Sequence, residues 1–248
     1  MEPVFRALEI TARTAVRVTG ARITYRGLRN IPADGGAVIA INHTGYLDWL
    51  PAALGVMRRR RRLRFMIKSE MQRVTLVDFL IRHTKTIPVD RRAGAGAYAV
   101  AVARLREGEL VGVYPEATIS RSFELKDFKT GAARMALEAQ VPIVPLIVWG
   151  AHRVWTKDHP RHLGRNGIPI TVAAGPPLAP AGSAEELMRH LRAEMGELLD
   201  EVQRSYDHPE GAYWVPRRLG GGAPTMEEAI VREEAELAER ARRELGDH

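Results

Sequence analysis

Ala37-Val38-Ile39-Ala40-Ile41-Asn42-His43-Thr44-Gly45-Tyr46-Leu47-Asp48-Trp49 is the stretch on which the reading of this chain turns. Its apolar run, residues 37–41, reads as a short buried strand. Asn42, His43, Thr44 and Gly45 then favour a turn that leaves side chains exposed. A helix follows over about 47–56, with Pro51 tolerated in its first turn. His43 therefore stands at a strand end and Asp48 at a helix start. Five residues is the wrong separation for one helical face. Through a strand-turn-helix corner, however, the carboxylate can fold back onto the imidazole. Held by one nitrogen, that imidazole keeps the other free to take a proton, a base with its orienting group. Taken alone, the pair reads more readily as a hydrogen bond that ties a turn, and the downstream sequence reverses that preference.

Working outward, strands are expected at 22–26, 63–67, 86–89, 110–114, 141–149 and 168–173. Helices are expected at 75–81, 97–106 and 128–140. Another runs from the Ser183 cap to about residue 204, with Glu186 completing a capping box. Pro142 and Pro145 suggest an edge or bulged position for 141–149. Alternating strands and helices imply an α/β fold, a mainly parallel central sheet flanked by helices. Sites in such sheets gather at the carboxyl ends of strands. His43, Lys68, Arg91 and Glu116 all fall at such ends. A base, two cations and a carboxylate at four separate strand ends form a constellation.

The 248 residues suit one large α/β domain with appendages. Residues 1–20 read as an amphipathic helix, 21–205 as the domain, and 206–248 as a linker with a charged helical arm. The first helix is too charged and too short to span a bilayer. It lacks the apolar core of a signal peptide, so it either packs on the domain or lies on a membrane surface. No cysteine occurs, which excludes disulfides, thiolate-zinc sites and a cysteine nucleophile. The net charge is +7; residues 226–248 carry eight acids and four bases, so the remainder carries +11. A basic body implies an anionic partner.

Three other readings are weaker. Gly94-Ala95-Gly96-Ala97-Tyr98-Ala99 has the form of a dinucleotide fingerprint, but Asp90 to Ala93 separate it from its strand. Arg58 to Arg62 come without a nucleic-acid motif or interleaved aromatics, so no nucleic-acid partner is expected. His152, His159 and His162 lack metal-ligand spacing and read as solvated or locally bonded.

Five blocks, in order, resemble the glycerolipid acyltransferase family of the PlsC, lysophosphatidate acyltransferase type. Asn42 to Asp48 is similar to its NHxxxxD motif, and Ile87-Pro88-Val89-Asp90-Arg91 to its second, arginine-bearing motif. Tyr114-Pro115-Glu116-Ala117-Thr118 is similar to FPEGT, Phe128-Lys129-Thr130-Gly131-Ala132 to F-K-x-G-A, and Val141-Pro142-Ile143-Val144-Pro145-Leu146 to VPIVPV. The resemblance covers roughly residues 20–180. Lys85 and Ala117 stand where the family has glycine, and alanine would be strained if that position needs φ > 0.

The resemblance implies transfer of an acyl group from an acyl-CoA or acyl carrier protein thioester to a glycerol phosphate hydroxyl. The acceptor would be 1-acyl-sn-glycerol 3-phosphate, with glycerol 3-phosphate or another lipid hydroxyl as alternatives. His43 would be the general base and Asp48 its orienter. Lys68 and Arg91 would bind phosphate, and Glu116 and Thr118 glycerol oxygens. The chemistry implies no metal and no cofactor beyond the thioester co-substrate. Attack directly on the thioester suits a chain without cysteine or a G-x-S-x-G serine. The arginine run at 58–62, with Arg64, reads as a contact for an anionic membrane surface or a coenzyme A phosphate. The expected location is peripheral, on the cytoplasmic face of the cell membrane.

Overall fold

The apolar runs of the sequence become the strands of one sheet. A computed structural model describes residues 3–68, 86–89 and 95–246 of the chain. The strands are β1 (Arg22–Arg26), β2 (Ala37–Ile41), β3 (Leu63–Lys68), β4 (Ile87–Val89), β5 (Leu110–Val113), β6 (Ile143–Trp149) and β7 (Pro169–Ala174). The helices are α1 (Pro3–Thr19), α2 (Trp49–Met57), α3 (Ala95–Arg106), α4 (Gly131–Ala139), α5 (Ala184–Arg204) and α6 (Met226–Gly246). The helix expected at 75–81 lies outside the described residues.

The sheet order is β1-β7-β6-β2-β5-β3-β4. From β6 to β4 each strand is parallel to its neighbour. Among the described strands only the β6–β7 pair is antiparallel, and β1 runs parallel to β7. The central strands are apolar throughout because both faces are covered. Val38, Ala40, Val111, Val113, Ile143 and Ile147 face a core built with α3, α4 and α5. Ala37, Ile39, Ile41, Leu110, Val144 and Val148 face Ala52 and Val56 of α2. The Ser183 capping box is present and starts α5.

Three expectations change. β6 is a central strand, buried along its length, and not an edge. Pro145 is tolerated there because its carbonyl, and so its missing N–H, points to the β7 side. Gly175 donates to that carbonyl at 2.9 Å, one residue past the end of β7 at Ala174. The helix expected from residue 128 starts at Gly131, because Lys129 N–H is held by the Pro115 carbonyl at 2.9 Å. The tail after residue 205 is not a free linker: Trp214, Val215 and Ala223 are buried in the same core as Trp149.

The arginine run is also placed differently. Leu63 and Ala37 both align with Leu110. Residues 58–62 therefore sit at the amino edge of the sheet, about 15–20 Å of strand away from His43. Arg61 donates to the carbonyls of Pro32 (3.0 Å), Gly35 (2.8 Å) and Gly108 (2.7 Å). Arg59 donates to Ile31 O at 3.3 Å. Arg64 is buried and bonds Glu109 at 3.0 and 3.2 Å. Arg58 lies over the Tyr25 ring. The run closes loops under the sheet, and it is not beside His43.

Candidate active site

β2 delivers His43 to the carboxyl edge, and Asn42 fixes how the chain leaves the strand. The Asn42 amide is fully buried and pairs both ways with the Val148 backbone, at 3.1 and 2.7 Å. Its side chain thus continues the ladder to β6 where the strand turns away. Gly45 permits the corner, since a Cβ there would come within 2.8 Å of both His152 Cα and the Trp155 carbonyl. The corner is pinned from outside by Thr156, whose hydroxyl donates to Thr44 O at 2.7 Å.

Asp48 occupies the cap position of α2, yet its side chain does not cap the helix. It folds back instead. Oδ2 accepts from Thr44 N–H at 2.7 Å and Gly45 N–H at 2.8 Å, and lies 3.2 Å from His43 Nδ1. Asp48 is completely buried. Burial pushes its pKa up, while the bonds to His43, Gly45 and Thr44 pull it down. His43 is partly exposed and stacks on Tyr114, ring centroids 4.1 Å apart. With Nδ1 directed at the carboxylate, Nε2 is the nitrogen left for a substrate proton.

Glu116 follows β5 on the neighbouring strand. It is buried, and both carboxyl oxygens receive backbone donors: His43 N–H at 2.8 Å and Lys126 N–H at 3.0 Å. Burial raises its pKa to about 7 against those two bonds. Through these two bonds Glu116 ties the base to the loop after β5. Ser120 N–H adds a second tie, to His43 O at 2.8 Å.

Thr118 is on that loop, and its hydroxyl donates to Glu233 at 2.6 Å. Lys68 ends β3, at the same edge as His43; its side chain lies outside the described residues, as does all of Arg91. Among the described residues no cluster of metal-ligating side chains occurs. His152 is buried among Trp149, Phe123 and Trp214 rather than solvated. Burial holds its pKa down at about 3, so it stays neutral, with Nδ1 3.3 Å from the Thr44 hydroxyl.

Ala117 has φ 62°, so the position does need the left-handed region. An L-residue there costs about 1–2 kcal/mol. Glycine would relieve this strain but adds freedom to the unfolded chain. Ala117→Gly should therefore stabilise the protein by a net amount of about 0.5–1 kcal/mol, read as a rise in urea midpoint at unchanged slope.

Sequence reasoning missed the partners supplied by α6. Glu233 meets Thr118 and Lys126, and Glu236 meets Arg121 at 2.7 Å and Lys157 at 2.9 Å. The sequence carried no signal of this beyond two glutamates three apart on one helical face.

A family model described as Acyltransferase matches residues 22–149. A 1-acyl-sn-glycerol-3-phosphate acyltransferase of Bacillus subtilis is 31% identical over 122 residues, 49% of this chain and 59% of that protein. Its namesake in Borreliella burgdorferi is 26% identical over 157 residues, 62% of each chain. One in Cocos nucifera is 33% identical over 191 residues, 73% of this chain and 58% of the other. The chain thus spans less than two thirds of these curated relatives. The crystal structure of the 1-acyl-sn-glycerophosphate (LPA) acyltransferase PlsC from Thermotoga maritima superposes with a TM-score of 0.68 at 22% identity. That match covers 83% of this chain and 82% of the other.

Proposed function

Since the chain belongs to the acyltransferase family, we propose that it acylates the free hydroxyl of 1-acyl-sn-glycerol 3-phosphate, giving phosphatidic acid. The acyl group comes from an acyl-CoA or acyl carrier protein thioester. The observation that carries this reading is the His43–Asp48 contact of 3.2 Å at the carboxyl end of β2. The names of the matched relatives support the acceptor.

In the proposed step, His43 Nε2 takes the hydroxyl proton as the oxygen attacks the thioester carbonyl. The tetrahedral intermediate collapses with cleavage of the carbon–sulfur bond. The departing thiolate takes the proton from the imidazolium, leaving His43 neutral. Asp48, buried with its charge, offsets the imidazolium while it lasts. Glu116 holds the His43 backbone in place. Lys68 and Arg91 are the cations assigned to the acceptor phosphate, Arg91 through a bidentate fork.

We further propose that the protein works at a membrane surface, through the rim around His43. Tyr46 and Trp49, both within the catalytic corner, are 42% and 45% exposed, and Leu163 in the loop after β6 is 56% exposed. Amphipathic aromatics suit the boundary between water and lipid. No described helix is long and apolar enough to cross a membrane.

The test uses labelled palmitoyl-CoA with three acceptors: 1-acyl-sn-glycerol 3-phosphate, glycerol 3-phosphate and a monoacylglycerol. Phosphatidic acid should form fastest, as seen by mass spectrometry. Equal turnover of the phosphate-free acceptor would remove the phosphate from the reading, and no transfer to any would remove the reaction.

A further inference from the structure

Helix α6 is fastened to the site by charge and not by apolar burial. Between Met226 and Glu239 only Ala229 is buried, while Ile230, Val231 and Leu237 are 46%, 64% and 54% exposed. Its inner face instead presents Glu233 and Glu236 to the loop after β5. One Glu233 oxygen accepts from the Thr118 hydroxyl at 2.6 Å, and the other meets Lys126 Nζ. Lys126 Nζ also donates to Thr118 Oγ1 at 2.5 Å. Glu236 meets Arg121 and Lys157 alongside. Arg121 is 8% exposed at its side chain, and its Nη1 has no partner among the described residues.

A carboxylate bridging an ammonium and a hydroxyl occupies the donors that two oxygens of a phosphate would take. The same two residues are tied to the catalytic base. Lys126 N–H and His43 N–H share the one buried carboxyl of Glu116, two residues before Thr118. A phosphate dianion offers Lys126 and Thr118 more negative charge than the single carboxylate of Glu233, so it can compete for the same donors.

We propose that Lys126 and Thr118 form a binding site for the phosphate of the anionic acceptor. Glu233 stands in for that phosphate, and the acceptor displaces it. This rests on the reading that the acceptor carries a phosphate. The site makes the appended helix part of acceptor binding.

The test is titration calorimetry of glycerol 3-phosphate into the full-length protein. Glu233→Gln keeps the side-chain shape and removes the competing charge, so it should bind about fivefold tighter. Lys126→Met should bind about tenfold or more weakly. Unchanged or weaker binding by Glu233→Gln would overturn the proposal, since Glu233 would then be a support and not a stand-in. Unchanged binding by Lys126→Met would overturn it as well. Failure of the functional reading shows elsewhere, in a wild-type protein that acylates only phosphate-free hydroxyls.

Discussion

Replacing His43 by alanine should lower the acyl-transfer rate by about 10²–10⁴-fold, the range that a positioned general base contributes. The side chain is partly exposed, bonds Asp48 and stacks on the Tyr114 ring. Its loss should therefore leave thermal unfolding nearly unchanged. Asp48→Asn separates charge from geometry in the same dyad. The amide oxygen can take the place of Oδ2, which receives both backbone N–H groups and faces Nδ1. The amide nitrogen then falls where Oδ1 has no partner among the described residues. The imidazole stays held while the buried charge opposite the imidazolium is gone. Activity should fall by about 10²-fold. Stability should hold or rise, because burial already works against the charged carboxylate. A single-turnover assay beside a melting curve checks both. Near-normal turnover by His43→Ala would sink the mechanism, and an unfolded Asp48→Asn would make the carboxylate structural.

The parts of the site that a sequence shows are those made by neighbours in the chain. β2 declared itself by five apolar residues, and the fold-back of Asp48 follows from a turn-forming stretch before a helix. The strand ends carrying Lys68 and Glu116 were placed by the same apolar runs. What stayed hidden depends on partners far along the chain. Pro145 looked like an edge residue because its missing N–H is costly inside a sheet; that β7 stops beside it is a fact of topology. Glu116 was legible as a carboxylate at a strand end, but its tie to the base was not. Its backbone partners, 73 and 10 residues away, are set by how β2 and β5 sit side by side. The charged tail read as a linker and a charged helical arm with no stated partner, since its polar face meets Lys126 only across 107 residues.

The arginine run illustrates the same limit and carries a second large effect. Five consecutive arginines read as a patch for anionic lipid, a use in which each is exposed and replaceable. In the folded chain Arg61 satisfies three loop carbonyls, and Arg64, 5% exposed at its side chain, pairs with Glu109 at 19%. Removing one partner of a buried pair costs about 3–5 kcal/mol when burial is complete and nothing else offsets the charge left behind. Glu109 can regain some water and keeps Arg61 within electrostatic reach, so Arg64→Met should cost about 2–4 kcal/mol. For a domain of this size that lowers the melting temperature by roughly 5–12 °C. Changing Glu109→Gln as well should cost less than the two single changes added together, because the two residues share one contact. The same reasoning applies to a block replacement of residues 58–62 by glutamine. Its main result should be a lower melting temperature, with any loss of vesicle binding following from unfolding. A variant that melts like the wild type yet no longer sediments with anionic vesicles would return the run to the membrane and overturn its assignment as a clasp under the sheet.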